Sequence, residues 1–243
     1  MGWEILEKWG NDAERVERMS GGVANDVWRV RIGGKTYVAR LGKRSDADLE
    51  WETNLLKYLS LHRLVVPVPL PTLDGRLFCN GLVVMEHLEG HAPKTKNDWE
   101  LVASTLARLH ELTRKWPQRP GWRSSSDLMQ CVKGTKIDLT KMPAEGVRRC
   151  RAAWSHLQER ETCVVHGDTN PGNILIKDNI VALIDWDESH VDVPDFDLVL
   201  PENAGNLGDG AFEIAVQASA AWEAAVCWGD DYAIKRLAEV NPV

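Results

Sequence analysis

The chain has 243 residues, of which 44% are hydrophobic and 27% charged, as in globular proteins with one large domain or two lobes. Its net charge of −7 argues against nucleic-acid binding, which requires clustered lysine and arginine. The five cysteines are scattered and never spaced as C-x-x-C, which predicts reduced thiols. Because the start lacks an apolar signal segment and no apolar run is long enough to cross a membrane, we expect a cytoplasmic protein without a membrane partner.

The first ninety residues predict a β-rich segment. Strands are predicted at residues 16–19, 27–32, 37–41 and 82–85. The pair Gly33-Gly34 is typical of a two-residue hairpin turn. A helix is predicted at 46–61, before a proline-rich break.

The rest of the chain predicts mainly helices, at residues 98–114, 147–157 and 211–228. Three short apolar runs predict further strands at 163–165, 174–176 and 181–184. We therefore expect an α+β fold with two lobes. A β-rich N-terminal lobe would span 1–89 and bind a nucleotide, and an α-rich C-terminal lobe would span 90–243 and provide catalysis and acceptor binding.

Three oxygen-bearing side chains follow strand ends between residues 164 and 198. Asp168 comes directly after an apolar strand, and Pro171-Gly172 predicts a turn that returns Asn173 towards it. Asp185 follows the next hairpin. If these groups converge, they offer the hard oxygen ligands that magnesium prefers and a carboxylate that can accept a proton. The alternative for each residue alone is that it caps a turn.

This pattern, H-G-D-x-x-x-x-N followed by I-D-W and D-x-P-x-x-D-L, resembles the signature of the aminoglycoside phosphotransferase and choline kinase family. The resemblance implies that Asp168 is the catalytic base and that Asn173 and Asp185 bind the metal. It also implies that His166 and Asp197 are structural residues of the loop.

The resemblance covers about residues 16–200 and implies a two-lobed, protein-kinase-like fold. It implies ATP as the nucleotide, with GTP as an alternative, and Mg²⁺ as the metal. The activity expected is transfer of the γ-phosphoryl group to a hydroxyl of a small molecule. His110 is expected to be a packed, hydrogen-bonded structural residue.

In the N-terminal part, the turn containing Ser20, Gly21, Gly22 and Asn25 lies where this fold places its nucleotide-covering loop. A plain hairpin turn is the alternative. For Glu86 and Leu88, the resemblance predicts main-chain contacts with adenine.

Arg40 stands where the family usually has a lysine that binds the α- and β-phosphates, which is a departure from the pattern. Glu52 shares one predicted helix face with Leu49, Leu56 and Leu59, so that face should be buried. A buried carboxylate needs a partner, and we expect Arg40 to pair with Glu52.

Residues 178–234 contain thirteen Asp and Glu but no Lys or Arg. This charge favours a cationic small-molecule acceptor, such as an aminoglycoside or an amino alcohol. The candidates for contacting it are Asp187, Glu188, Asp192, Asp195 and Glu202. A solvated acidic surface is the competing explanation.

Three other functions fit parts of the sequence. A non-catalytic nucleotide-binding protein on the same fold gains support from Arg40, and a magnesium-dependent phosphohydrolase would use the same acids. A protein kinase is disfavoured because H-R-D, D-F-G and A-P-E segments are missing. The short C-terminal part leaves two expectations open, a monomer or a homodimer whose partner completes the acceptor pocket.

Overall fold

The computed structural model describes residues 2–19, 25–134 and 136–242. Its strands are β1 Glu14–Arg18, β2 Asp26–Ile32, β3 Lys35–Leu41, β4 Leu82–Glu86, β5 Cys163–Val165, β6 Ile174–Lys177, β7 Ile180–Leu183 and β8 His190–Asp192. Its α-helices are α1 Asp46–Leu61, α2 Lys96–Leu112, α3 Ala144–Ser155, α4 Asp209–Val226 and α5 Asp231–Glu239. The fold is mixed α+β, as predicted. Ser20, Gly21 and Gly22, part of the predicted nucleotide-covering turn, lie outside the described residues.

The chain forms two compact units. The first unit contains the residues up to His91 together with Leu175–Ile184. The second unit contains Ala92–Ile174 and the residues from Asp185 onward. The predicted assignment of nucleotide binding to 1–89 and of catalysis to 90–243 stays a prediction.

The first unit is built on an antiparallel sheet with the strand order β1-β2-β3-β4. Gly33 and Gly34 connect β2 to β3 with positive φ angles of 57° and 75°. Two successive positive φ values define the turn that matches the twist of a hairpin, so the predicted hairpin is confirmed. Val30, Ala39 and Val84 are fully buried in the core on this sheet.

Strand β1 begins two residues earlier than the predicted strand. Every residue of β1 is exposed. Without a buried side, no alternation of apolar and polar residues marks the ends of the strand. Helix α1 matches its predicted range, and Ser45 caps its N-terminus by accepting a hydrogen bond from the Asp48 N–H. The predicted buried face of α1 is also confirmed, since Leu49, Glu52, Leu56 and Leu59 are at most 1% exposed.

The second unit packs its helices around a core that includes Trp154, Trp222 and Leu128. Strands β5 and β8 form a two-stranded antiparallel sheet. Helix α2 begins with a capping box, in which Thr95 and Asp98 satisfy each other's backbone N–H groups.

Two elements of the second unit were missing from the sequence prediction. Strand β8 has three residues of which only Val191 is apolar, so no apolar run marks it. Helix α5 exposes Tyr232 and Ile234 to solvent, so its apolar residues do not mark one buried face. Within the described ranges, none of the helices combines the length and the apolar character that a membrane crossing requires.

Candidate active site

The turn at residues 166–168 directly follows the buried strand β5. Its backbone is positioned by Asp197, whose Oδ2 accepts from the His166 N–H at 2.7 Å and whose Oδ1 accepts from the Gly167 N–H at 2.9 Å. His110 Nε2 lies 2.8 Å from the same carboxylate. His110 is buried and hydrogen-bonded, as predicted. Asp197 therefore fixes the backbone immediately before Asp168.

Asp197 is completely buried, and burial by itself raises the pKa of a carboxyl group. The hydrogen bond and charge of His110 act in the opposite direction, together with the charge of His166 and the Gly167 N–H. The net effect lowers the pKa of Asp197 below its ordinary value. The ionised form, which accepts these hydrogen bonds, is thus favoured.

Asn173 returns to Asp168 as the sequence predicted. Its Nδ2 donates to the Asp168 Oδ2 at 2.8 Å and to the Asp168 backbone oxygen at 3.1 Å. A second amide, which the sequence analysis missed, donates from Asn170 Nδ2 to the Asp168 Oδ1 at 2.7 Å. Asn170 also caps the short 3-10 helix Pro171–Asn173 by accepting from the Gly172 N–H. An asparagine directly before Pro-Gly was the available signal for this cap.

Asp185 lies just after β7 and is exposed, with a positive φ of 60°. The residue after it, Trp186, is buried and packs edge-on against the His166 ring, with 4.9 Å between centroids. A Cβ added to Gly167 would lie only 2.5 Å from the Glu188 carbonyl oxygen. The segment that follows Asp185 therefore packs directly against the 166–168 turn.

Arg119 fixes this segment, and the sequence analysis missed it. Its side chain is buried, and Nη1 donates to the backbone oxygens of Trp186 at 3.1 Å, Asp187 at 3.0 Å and Ser189 at 2.7 Å. These partners lie 67 to 70 residues further along the chain, so no local pattern could indicate the contact.

The side chains of Asn173 and Asp185 carry oxygen atoms of the kind that magnesium binds, and their binding of magnesium stays a prediction. Because the Asn173 nitrogen faces Asp168, the amide oxygen is the end directed away from that carboxylate. Asp185 contributes an exposed carboxylate. Among the residues that the structure describes, no cluster of three or more His, Cys, Asp or Glu could enclose a metal. Few protein ligands are typical of magnesium, which keeps water molecules and phosphate oxygens in its shell.

In the first unit, the ion pair predicted between Arg40 and Glu52 is present and buried. Glu52 also pairs with Arg44, whose Nε donates to the Asp48 carboxylate at 2.9 Å. Arg44 was missed because it precedes the N-cap Ser45 and so lies outside the helical repeat of α1. The role of these groups towards a nucleotide stays a prediction.

The other predicted nucleotide contacts also lie in the first unit. The Asn25 side chain lies beside Gly42, since a Cβ there would come within 2.1 Å of the Asn25 Oδ1. The exposed Glu86 ends β4 and its N–H donates to the Val68 oxygen, while Leu88 is half-buried. Their contacts with adenine remain predictions.

The candidate acceptor contacts differ in how accessible they are. Asp192 is buried, and its carboxylate accepts hydrogen bonds from the Ser125 N–H at 2.6 Å and from the Ser125 Oγ–H at 2.7 Å. A phosphoryl-acceptor molecule could bind Asp192 only by replacing these hydrogen bonds. Asp195 is buried and paired with Arg160. Asp187 and Glu188 are half-buried, and Glu202 is exposed.

Two cations from outside the acidic run at 178–234 partly neutralise it, although the linear sequence suggested a strongly negative surface. Arg160 pairs with Asp195, and Lys136 pairs with Glu188. Both partners come from segments before residue 178.

The family model described as the phosphotransferase enzyme family (APH) matches residues 15–225. An uncharacterised protein of Deinococcus radiodurans is 28% identical over 186 residues, which are 67% of this chain and 54% of that protein. A homoserine kinase of Paraburkholderia xenovorans is 31% identical over 124 residues, which are 46% of this chain and 37% of that enzyme. The matches thus span about half of the first relative and little more than a third of the second.

Solved structures with low sequence identity share the fold. The microcompartment-associated aminopropanol kinase has a TM-score of 0.67 and 18% identity, and the match covers 98% of this chain and 92% of that one. An amicoumacin kinase in complex with AMP-PNP and Ca²⁺ has a TM-score of 0.60 and 14% identity, with 99% of this chain and 76% of that one covered. With the family model matching most of its length, the chain belongs to the phosphotransferase enzyme family.

Proposed function

We propose that this chain is an ATP- and magnesium-dependent phosphotransferase that moves the γ-phosphoryl group to a hydroxyl of a small aminated molecule. The observation that carries the proposal is the arrangement around Asp168. Its carboxylate accepts hydrogen bonds from Asn170 and Asn173, on a turn whose backbone is bound by the buried Asp197. Family membership and the AMP-PNP complex of a similar structure support the use of ATP.

In the proposed reaction, Asp168 orients the acceptor hydroxyl and accepts its proton. The acceptor oxygen forms a bond to the γ-phosphorus while the bond from that phosphorus to the bridging oxygen breaks, and ADP leaves with the electron pair. The two asparagine amides keep the carboxylate in one orientation, so that little reorganisation is needed in the transition state.

Asn173 and Asp185 are the residues that would bind magnesium. When bound, magnesium neutralises charge on the phosphate oxygens. Arg40 would bind phosphate oxygens of the nucleotide, with Glu52 and Arg44 setting the orientation of its side chain. Glu86 and Leu88 remain the proposed adenine contacts, and GTP remains the alternative nucleotide.

The acceptor class follows from the acidic groups that stay accessible, Asp187, Glu188 and Glu202. Carboxylates favour a positively charged acceptor. The homoserine kinase and aminopropanol kinase that the chain resembles are both named for aminated alcohols. The cytoplasmic location and the monomeric or homodimeric state stay predictions.

The test is an ADP-formation assay over a panel of aminated alcohols and aminoglycosides, with wild type and Asp168→Ala. We expect Asp168→Ala to lower kcat by about a thousandfold, because general-base groups typically contribute 10²–10⁴-fold, while KM for ATP stays within a few-fold. Asp209→Ala removes an exposed carboxylate at the start of α4 and should leave kcat unchanged.

Full activity of Asp168→Ala would contradict the assignment. Nucleotide binding without turnover on any acceptor would favour the non-catalytic alternative. ATP hydrolysis that needs no acceptor would favour a phosphohydrolase.

A further inference from the structure

Glu188 is an accessible acidic residue whose backbone packs against the turn that carries Asp168. Its backbone oxygen is so close to Gly167 that an added Cβ would lie 2.5 Å away, and Gly167 directly precedes Asp168. The turn that carries Glu188 is fixed by three hydrogen bonds from the buried Arg119. Glu188 is therefore presented by a fixed segment beside the residue proposed to accept the proton.

The Glu188 carboxylate is already bound to a cation. Lys136 Nζ forms an ion pair with it, and the same ammonium lies 5.4 Å from the centroid of the Trp122 ring. The side chains of Lys136 and Glu188 are 34% and 29% exposed, so solvent reaches both. An ammonium ion forms charge-assisted hydrogen bonds with a carboxylate and is attracted to the face of an indole ring, so this pair of side chains suits a cation.

The space beside Lys136 does not admit a second ammonium group. The cavity next to Lys136 measures only about 10 Å³ and is lined by Trp122, Ile137, Trp222 and Val226, together with Arg123 and Gly134. An incoming cation therefore has to take the place of the lysine ammonium on Glu188, because it cannot bind next to it.

We propose that Glu188 and Trp122 form the cation-binding subsite for the acceptor, and that Lys136 occupies this subsite until an acceptor displaces it. The identification of the incoming cation as the acceptor rests on the proposed function. Lys136 then acts as a specificity determinant. A neutral alcohol cannot replace it on Glu188, whereas an aminated alcohol can.

The first test measures displacement without any turnover. The acetylation rate of each lysine with N-hydroxysuccinimidyl acetate is followed by peptide mass spectrometry, in tetramethylammonium chloride and in sodium chloride of equal ionic strength. We expect Lys136 to react faster as tetramethylammonium increases, with saturation. Lys133, which pairs with Asp138 on the same loop at 3.2 Å, is the internal control and should not respond. In Glu188→Gln, Lys136 should react fast from the start and show no response.

The second test uses kinetics. Lys136→Met should lower KM for an aminated acceptor by about two- to fivefold, the size expected for removal of one partly exposed ion pair, and leave KM for ATP unchanged. Glu188→Gln should raise the acceptor KM by about tenfold, since hydrogen bonds to charged groups are among the stronger ones. Lys133→Met should change neither constant.

An unresponsive Lys136 amine, or a higher acceptor KM in Lys136→Met, would overturn the subsite. Thermal unfolding of each variant shows whether it is folded, and the labelling of wild type needs no variant at all. A labelling response in a chain that phosphorylates no acceptor would support the cation site and overturn the proposed function alone.

Discussion

Asp197 positions the backbone of the turn that carries Asp168, the residue proposed to accept the proton. It is completely buried, yet three donors from His110, His166 and Gly167 surround its carboxylate. Its pKa is lowered despite the opposing effect of burial. The ionised carboxylate therefore links the stability of the second unit to the geometry around Asp168.

This pKa predicts a pH dependence of stability. A carboxyl group with a lowered folded-state pKa stabilises the protein above its ordinary pKa of 3.8, and this contribution is lost as the pH falls through the folded-state value. We expect the free energy of unfolding of wild type to decrease below about pH 4. Asp197→Asn should lack this part of the decrease and be about 2–3 kcal/mol less stable at pH 7, because one strong acceptor is lost.

Urea unfolding at pH 7 and in steps down to pH 3 measures both effects. Asp209→Asn, at an exposed position, is the control and should follow the wild-type curve. Equal acid sensitivity of wild type and Asp197→Asn would exclude a stabilising role for the ionised group.

At the scale of elements, the packing of one turn against another decides where the acidic residues stand. Gly167 has a φ of 78° and contacts the backbone of Glu188. Gly34 has a nearly equal φ of 75°, but a Cβ there would meet nothing within 4 Å. Alanine variants at these two positions should therefore distinguish the effect of backbone strain from the effect of steric contact.

We expect Gly34→Ala to cost about 1 kcal/mol of stability, the penalty for a left-handed conformation alone, and to leave turnover unchanged. Gly167→Ala has the same penalty and also forces its Cβ into the Glu188 backbone. It should be destabilised by about 2–4 kcal/mol and lose most activity, because the 186–188 turn must move away from Asp168. Urea unfolding and the ADP assay measure the two quantities, and similar results for both alanine variants would contradict the packing argument.

At the scale of the whole molecule, each of the two units has its own buried core. A ligand that binds only the folded state raises its stability, so the proposed nucleotide and Mg²⁺ should together stabilise the chain. Binding to the folded state adds about 2.7 kcal/mol when the ligand is present at a hundred times its Kd.

We expect AMP-PNP with Mg²⁺ to raise the unfolding temperature and EDTA to abolish most of that increase. Asp185→Asn should lose most of the Mg²⁺-dependent shift relative to its own Tm without ligand, because its carboxylate is a proposed metal ligand. Differential scanning fluorimetry measures these shifts. A nucleotide effect that is the same with and without Mg²⁺ would contradict the proposed metal site.

The sequence predicted those features that depend on neighbours along the chain. The Gly33-Gly34 hairpin needs only two adjacent residues with positive φ, and the buried face of α1 needs only the helical repeat. Asn173 returns to Asp168 over five residues, through a turn that Pro-Gly enforces. These are local rules, so a single sequence was sufficient to apply them.

Only the tertiary structure decided which distant residues meet. Arg119 binds a turn 67 to 70 residues away, Ser125 satisfies Asp192 across 67 residues, and Lys136 reaches Glu188 across 52. Burial and pairing of an acidic residue depend on such contacts, so the charge of a segment alone could not show which carboxylates stay accessible. The sequence by itself thus determined the return of Asn173 to Asp168, whereas packing decided what surrounds this turn, because hydrogen bonds and ion pairs form between neighbours in space.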